Sequence, residues 1–166
     1  MFDSASILIR RANVADVPTL TEIYAHPAIR EQLMQLPHMD QSFWRDWITN
    51  APPTRHILIA EQVGEIVGEV TLSVMSKTPR KHCGSIAPVV RADRHRQGIG
   101  NLLMTSVLDL ADNWLNLQRL ELQVLTYNEP AIALYKKHGF DIEGTLRHFA
   151  FRDGRYVDAH MMARLR

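Results

Sequence analysis

The pattern of apolar and polar positions predicts that short strands and helices alternate along this chain. Residues 6–12 have the composition of a first strand, and residues 56–74 form two strand-like runs that meet near Val63 and Gly64. Two helices are expected between the first strand and this pair, each opened by a residue whose side chain accepts a hydrogen bond from the first turn. The candidate caps are Asn13 or Asp16 for the first helix and Asp40 or Ser42 for the second.

The middle of the chain switches from a strand to a long helix and back to a strand. Residues 84–91 are an apolar strand candidate, and residues 119–124 alternate apolar and polar side chains as a half-buried strand does. Between them, apolar residues recur at three- and four-residue steps, which predicts one buried helix face. That face consists of Ile99, Leu102, Leu103, Val107, Leu110 and Trp114.

A shorter helix and a hairpin are expected to complete the fold. Asn128 is a candidate cap with Pro130 in the first turn, and Gly139 is a typical helix stop. Asp153-Gly154 predicts a tight turn between two final strands. The order β-α-α-β-β-β-α-β-α-β-β predicts an α/β (α+β) fold in one domain, residues 1–166, with a central mixed sheet of about seven strands flanked by about four helices.

Composition excludes several classes of protein. The 166 residues are 46% hydrophobic and 22% charged, as in ordinary globular proteins, and the net charge of +1 gives no general attraction to nucleic acid. Neither a signal peptide nor a membrane-spanning apolar run is evident, so no membrane partner is expected. Cys83 is the only cysteine and is expected to be a buried thiol in a cytoplasmic protein. The histidines show no metal-binding spacing, so no metal is expected.

A glycine-containing turn joins the strand candidate of residues 84–91 to the long helix. Gly98 and Gly100 allow the backbone to approach a ligand closely, and the free N–H groups of a helix start favour a phosphate. No GxxxxGK[ST] motif is present, and Leu103 occupies the position of the third glycine in a dinucleotide fingerprint. The turn therefore predicts a different type of polyphosphate site, with further donors from Arg91, Arg94 and Arg96.

Two segments carry a resemblance to a known family. HRQGIG, residues 95–100, is followed by a helix, a strand and NEPAIALYKKHGF, residues 128–140. This arrangement resembles the GNAT superfamily of acetyl-CoA-dependent N-acetyltransferases. Residues 143–164 are similar to the branch that includes bacterial amino-acid and protein N-terminal acetyltransferases. The resemblance implies a GNAT-like fold, acetyl-CoA as co-substrate, and a homodimer as a possible assembly.

The resemblance also implies which residues hold the cofactor. In such enzymes the glycine-rich turn binds the CoA pyrophosphate through backbone N–H groups, the preceding strand pairs with the pantetheine arm, and Asn128 matches a residue that contacts this arm. His95 departs from the pattern, because the family usually has Gln or Arg there. The residues so implied are Arg96, Gln97, Gly98, Ile99, Gly100 and Asn101 in the turn, and Val89, Val90 and Arg91 in the strand.

Acetyl transfer from a thioester to an amine requires a neutral amine, stabilisation of the developing oxyanion and a proton for the leaving thiolate. Tyr135 matches the tyrosine that family members place beside the CoA sulfur. A phenol with a pKa near ~10 is protonated at neutral pH and can serve as the general acid. The alternative is that Tyr135 is an amphipathic core residue, paired with Ile132 on the same helix face.

The general base is not specified by a motif. Glu69 is the first candidate, because related enzymes often carry an acidic or polar residue in the neighbouring strands; the alternative is a solvated acid on a half-exposed strand. His38 and His82 are further candidates. Some members of the superfamily use a chain of water molecules in place of a single side chain.

The acceptor is expected to lie among the first two helices and the last hairpin. The apolar residues Phe43, Trp44, Trp47 and Ile48 either line its pocket or belong to the core. The α-amine of a peptide N-terminus has a pKa near ~8, against ~10.4 for lysine, so it needs no strong base, and a free amino acid lies between these two cases because its carboxylate holds the proton more tightly. We therefore expect direct attack, in a ternary complex, by the α-amine of a free amino acid or a similar small molecule. A free amino acid would also need a cationic partner, for which Arg30 and Arg147 are candidates.

Two other functions are compatible with the sequence. A protein N-terminal acetyltransferase would share the cofactor site but would present an open groove in place of a closed, acceptor-sized pocket. A non-catalytic acyl-CoA-binding module would share the pyrophosphate turn but would not require a tyrosine at position 135.

Overall fold

The computed structural model describes residues 7–166, so Ser6 of the expected first strand lies outside the described residues. Within this range seven strands form one sheet. They are β1 (Ile7–Arg11), β2 (Arg55–Gln62), β3 (Glu65–Val74), β4 (Cys83–Val90), β5 (Arg119–Leu125), β6 (Asp141–Arg152) and β7 (Arg155–Leu165). The α-helices of this range are α1 (Val17–Ala25), α2 (Pro27–Arg30), α3 (Gln41–Thr49), α4 (Ile99–Asp109) and α5 (Glu129–Lys137). The mixed sheet of about seven strands is confirmed, and α2 is a four-residue helix that the sequence analysis did not predict.

The strands lie in the order β1-β2-β3-β4-β5-β7-β6, and every neighbouring pair is antiparallel except β4 and β5. These two parallel strands pair only between Cys83–Ser85 and Arg119–Glu121. Beyond that point they diverge, so the side of β4 that faces β5 has no strand partner from Ile86 to Val90 within the described residues. An opening therefore interrupts the middle of the sheet.

Helix α4 covers one face of the sheet and forms the larger core with β3, β4 and β5. Leu103, Met104 and Val107 are fully buried there, as the helical period predicts for two of them. The prediction that Trp114 shares this buried face is wrong, because its side chain is 78% exposed. The helix widens into a π-helical turn at Leu110–Trp114, which rotates the last residue away from the sheet.

Helices α1 and α3 cover the opposite face of the sheet. Asn13 caps the turn before α1 by accepting a hydrogen bond from the N–H of Ala15, and Asp40 caps α3 through the N–H of Ser42. Caps of this kind contribute about 1 kcal/mol each to stability. Trp44 of α3 packs against Tyr24 of α1 with their ring centroids 4.1 Å apart, which fixes the two helices against each other.

Cys83 is a free thiol that is 2% exposed, as predicted. Among residues 7–166, no helix is both long and apolar enough to cross a membrane.

Candidate active site

A pocket of about 250 Å³ opens on the sheet face covered by α1 and α3. Its floor is a polar stripe on two paired strands, in which Thr71 lies opposite Ala87 and Ser73 opposite Ser85. Residues opposite each other in a ladder project to the same face, so the hydroxyls of this stripe point into one space. We call this space the first pocket; its lining is Tyr24, Gln35, Phe43, Trp44, Trp47, Glu69, Thr71, Ser73, Ser85, Ile86 and Ala87.

Aromatic side chains form the wall of the first pocket opposite this floor. The rings of Phe43 and Trp44 meet edge to face with centroids 5.1 Å apart, and Phe43 stacks on Trp47 at 6.0 Å. Of the four apolar residues considered for an acceptor pocket, these three line it, whereas Ile48 packs with the core of α1 and α3. Trp44 belongs both to the wall of the first pocket and to the core of α1 and α3, since its side chain is only 4% exposed.

Glu69 lies buried at the edge of the first pocket, with 4% of its surface exposed. The expectation of a solvated acid on a half-exposed strand is therefore wrong, because α1 covers this end of β3. The Tyr24 hydroxyl donates a hydrogen bond to Oε1, and the Thr71 hydroxyl donates to Oε2 at 3.2 Å. Burial raises the pKa of Glu69 to about 7, although both hydrogen bonds favour the ionised form and lower it. Glu69 can therefore exchange a proton near neutral pH.

Tyr24 is the hydrogen-bond partner of Glu69 and was missed by the sequence analysis. Its pKa is raised well above the usual range, first by burial and then by the charge of Glu69. The phenol consequently stays protonated and acts as a fixed donor to the carboxylate. The sequence offered no motif for Tyr24, but the alternation of Glu69, Thr71 and Ser73 along β3 could have indicated a polar face.

The glycine-containing turn connects β4 to α4 in a conformation that leaves the helix start open. Gly98 has φ +79°, and a Cβ atom there would meet no atom within 4 Å. Gly100 serves closer packing, since a Cβ atom would lie 3.1 Å from Cδ2 of Leu134 in α5. Within the described residues no side chain caps α4, so the N–H groups of Ile99, Gly100 and Asn101 remain available to a ligand.

The arginines around this turn differ in their availability. Arg91 pairs with Asp93 at 2.9 Å, and Arg94 pairs with Glu65 at 3.0 Å. Acidic neighbours therefore occupy both guanidinium groups here, and their predicted contacts with phosphate oxygens stay a prediction. Among the described residues Arg96 has no acidic partner, and it adopts a left-handed φ of 61°.

The other residues considered for the cofactor site lie at the end of β4 and in the turn that follows it. The side chain of Val89 packs with α1 and that of Val90 with the core of α4, and both residues pair with β3, at Glu69 and Gly68 respectively. His95 donates a hydrogen bond from Nε2 to the carbonyl of Val90 at 2.9 Å and so ties the turn to the strand. Oε1 of Gln97 is buried without a partner among residues 7–166.

Tyr135 is 7% exposed and lies on α5, in the core on the α4 side of the sheet. Its ring packs against Phe140 with centroids 6.2 Å apart, and its hydroxyl has no hydrogen-bond partner within the described residues. Burial raises the pKa of Tyr135 well above its usual value. Asn128 caps α5 by accepting a hydrogen bond from the N–H of Ala131 at 3.3 Å, as predicted, and this leaves its amide N–H₂ free to donate.

A second pocket of about 200 Å³ adjoins the first and shares three of its residues. Its lining is Thr21, Tyr24, Ala25, Arg30, Gln35, Leu36, His38, Met39 and Trp44. Two residues considered in the sequence analysis, Arg30 and His38, therefore lie near the first pocket. Neither pocket is lined by His82 or Arg147.

The model of the acetyltransferase (GNAT) family matches residues 17–140. The L-amino acid N-acetyltransferase AaaT of Escherichia coli (strain K12) is 35% identical over 162 residues, which are 98% of this chain and 99% of that protein.

Solved structures agree with this match. The ribosomal-protein-alanine N-acetyltransferase of Brucella melitensis is 26% identical with a TM-score of 0.86, covering 96% of this chain and 99% of its own. The structure of yncA from Salmonella typhimurium with its cofactor acetyl-CoA is 20% identical with a TM-score of 0.85, covering 96% and 95%. At that identity the second likeness shows the fold alone.

Proposed function

Because the chain belongs to the GNAT family of acetyltransferases, we propose that it acetylates the α-amine of a free amino acid or a similar small molecule, by direct attack in a ternary complex. Membership confirms the resemblance drawn from residues 95–100 and 128–140, and it makes the chain an enzyme that uses acetyl-CoA. The observation that carries the proposal is Glu69, a buried carboxylate in an aromatic pocket beside the opening of the sheet.

The described residues fit acetyl-CoA in two places. The uncapped start of α4 offers the N–H groups of Ile99, Gly100 and Asn101 to a pyrophosphate, with open space above Gly98 and the unpaired guanidinium of Arg96 nearby. On the side that faces β5, the backbone of β4 beyond Ser85 has no strand partner within the described residues, so the carbonyl and N–H groups on that side could pair with an extended amide-containing arm, except for the carbonyl of Val90, which already accepts a hydrogen bond from His95. When bound there, acetyl-CoA supplies an activated acetyl thioester.

The two proposed proton-transfer groups lie on opposite faces of the sheet. Glu69 lies on the α1 face, and Tyr135 belongs to the core on the α4 face. An acceptor nitrogen in the first pocket would thus reach the thioester carbonyl from one side, with Tyr135 on the other.

The proton transfers then follow from the ionisation states. Glu69 takes a proton from the bound ammonium group, and the neutral nitrogen attacks the thioester carbonyl, forming the C–N bond as the C–S bond breaks. Tyr135 donates its proton to the leaving sulfur and is reprotonated from solvent, to which the new amide nitrogen also loses its extra proton. Glu69 returns its proton to solvent.

The size and chemistry of the first pocket support a small α-amine as acceptor. A base with a pKa of about 7 is well matched to an α-amine and poorly matched to a lysine side chain with a pKa of ~10.4. The polar floor and aromatic wall enclose about 250 Å³, enough for a small molecule. A relative of nearly full length, AaaT, is an L-amino acid N-acetyltransferase.

A second candidate function is acetylation of a protein N-terminus. It is favoured by the likeness to the ribosomal-protein-alanine N-acetyltransferase, which covers 96% of this chain at 26% identity. Such an acceptor also presents an α-amine to Glu69, but it continues beyond the α-carbon as a peptide.

The test is thiol release from acetyl-CoA by the purified protein across free amino acids, short peptides, polyamines and aminoglycosides. We expect release with free amino acids, and a loss of about 10²-fold or more in kcat/KM at pH 8 for Glu69→Gln. Glu22→Gln is the matched control, since Glu22 is an exposed acid of α1 outside both pockets. Release with peptides and none with amino acids would favour the second function, and no loss in Glu69→Gln would remove the assigned base.

A further inference from the structure

The two pockets share a wall but differ in charge. The first pocket holds Glu69 and lies against β3 and β4, where the acetyl group would be transferred. The second pocket shares Tyr24, Gln35 and Trp44 with the first, and no strand residue lines it. An acceptor whose nitrogen lies at this shared wall can place a carboxylate from the adjacent carbon in the second pocket.

The ionisable side chains are divided between these two spaces. In the first pocket they are Glu69 and Tyr24, and no Lys, Arg or His lines it. In the second pocket the basic residues Arg30 and His38 are present, and no Asp or Glu lines it. A carboxylate placed in the first pocket would face Glu69 without a cation, whereas in the second it would meet a guanidinium.

Arg30 is available for such a contact. Six other arginines form ion pairs with acidic residues: Arg10, Arg80, Arg91, Arg94, Arg119 and Arg164. Arg30 has no acidic partner among the described residues, although it is half-buried in the pocket wall. A guanidinium in this setting binds a carboxylate through two parallel hydrogen bonds.

Gln35 gives an independent sign that a ligand belongs here. Its Oε1 atom is buried without a hydrogen-bond donor in the described part of the chain, and its side chain forms part of the wall shared by both pockets. A buried acceptor without a partner is costly, and an N–H group of a bound amine would satisfy it.

The backbone that carries Arg30 is held in place by the hairpin of β6 and β7. Arg152 donates hydrogen bonds to the carbonyls of Arg30 at 2.5 Å, Glu31 at 2.6 Å and Leu33 at 2.8 Å. The hydroxyl of Tyr127, next to the cap of α5, donates to the carbonyl of Glu31 at 2.9 Å. These bonds fix the segment after α2 relative to the proposed cofactor side of the site.

We propose that the second pocket binds the α-carboxylate of the acceptor through Arg30, so that the enzyme selects free amino acids over amines that lack a carboxylate. The inference rests on the proposed function and assigns its substrate class. A polyamine would bring a second cation to Arg30, and a peptide N-terminus would bring a neutral amide, so both are disfavoured by the same contact.

The experiment compares the amino acid that gives the fastest thiol release with its own primary amide. Both are tested on the wild type, Arg30→Gln, Arg30→Lys and the control Arg45→Gln, because Arg45 is an exposed residue of α3 outside both pockets. The quantity compared is the effect of each substitution on kcat/KM for the acid relative to the amide. This ratio cancels the difference between the amine pKa values of the two acceptors.

We expect Arg30→Gln to lower kcat/KM for the acid at least about tenfold, mainly through KM, and to change the value for the amide less than about twofold. Arg30→Lys should recover part of the loss because it restores the charge without the paired donors. Equal effects on the acid and the amide, or no effect on either, would overturn the carboxylate assignment while leaving the proposed function intact.

Binding of the N-acetylated product and of its amide, measured by calorimetry, gives a readout that needs no turnover. Arg30→Gln should weaken the acid at least about tenfold and leave the amide unchanged. If the wild type acetylates neither the amino acid nor its amide, the proposed function fails. Product binding then decides separately whether Arg30 recognises a carboxylate.

Discussion

Tyr24 of α1 donates its hydroxyl proton in a hydrogen bond to Oε1 of Glu69 in β3, so one wall of the first pocket sets the acidity of the carboxylate beside it. Burial raises the pKa of Glu69 to about 7, and the bond from Tyr24 opposes that rise because it favours the ionised form. The position of α1 on the sheet thereby influences the pH at which Glu69 can accept a proton.

Replacing Tyr24 with Phe should shift the activity profile to higher pH. The substitution keeps the ring that packs on Trp44 but removes a donor that lowers the pKa of Glu69. We expect kcat/KM in the wild type to rise through a pKa near 7 and in Tyr24→Phe to rise at a higher pH. The measurement is the pH dependence of thiol release. A Tyr24→Phe profile that overlays the wild type would show that another group controls the rise of kcat/KM with pH. Glu69→Gln should show no such rise.

Glu69 should also make stability depend on pH. Its folded pKa of about 7 lies above the ordinary value of 4.5, so the folded state holds this proton more tightly than the unfolded state. Its contribution is fully present below pH 4.5 and is lost as the pH rises through 7, by up to about 3 kcal/mol. Relative to the wild type, Glu69→Gln should become more stable between about pH 5 and pH 8. Denaturant unfolding at both pH values measures this difference, and an unfolding free energy of Glu69→Gln that changes with pH as the wild type does would contradict it.

Gly98 and Gly64 allow the strain of a left-handed residue to be separated from ligand binding. Their φ angles are +79° and +78°, and an added Cβ atom would meet nothing within 4 Å at either position. Both Ala substitutions should therefore cost about 1 kcal/mol of unfolding free energy. Only Gly98→Ala should weaken acetyl-CoA binding, by about tenfold in Kd, because its methyl group enters the space above the start of α4. Calorimetric titration with acetyl-CoA distinguishes them, and equal Kd values for both variants would contradict the assigned pyrophosphate site.

The sequence predicted best where local rules decide the outcome. The caps at Asn13, Asp40 and Asn128 form as expected because a side chain needs only its own first turn to satisfy them. Helical periodicity failed at Trp114, where the π-helical turn changes the spacing on which the prediction depends. That turn has no signature that simple periodicity detects.

Long-range pairing accounts for the features of the site that the sequence did not predict. A solvated acid stayed open as the alternative for Glu69 because its neighbours in sequence do not show that α1 covers it. The ion pair of Arg94 was not predicted because its partner, Glu65, is 29 positions earlier in the chain. A longer separation hides the role of Arg152, whose contacts to Arg30 and Leu33 span more than a hundred residues.

Tyr135→Phe tests the assignment of the general acid. The phenol is buried without a hydrogen-bond partner among the described residues, so removing its oxygen should leave packing against Phe140 and the thermal midpoint nearly unchanged. Its pKa is raised by burial, so in the wild type it stays protonated at neutral pH and can donate to the leaving sulfur. We expect kcat to fall about 10²-fold with little change in KM. Tyr156→Phe, which removes the hydroxyl of a tyrosine that is 60% exposed on the final hairpin, should retain full activity. If Tyr135→Phe keeps the wild-type kcat while acetyl-CoA binds normally, the proton for the thiolate must come from another donor and Tyr135 serves only the core.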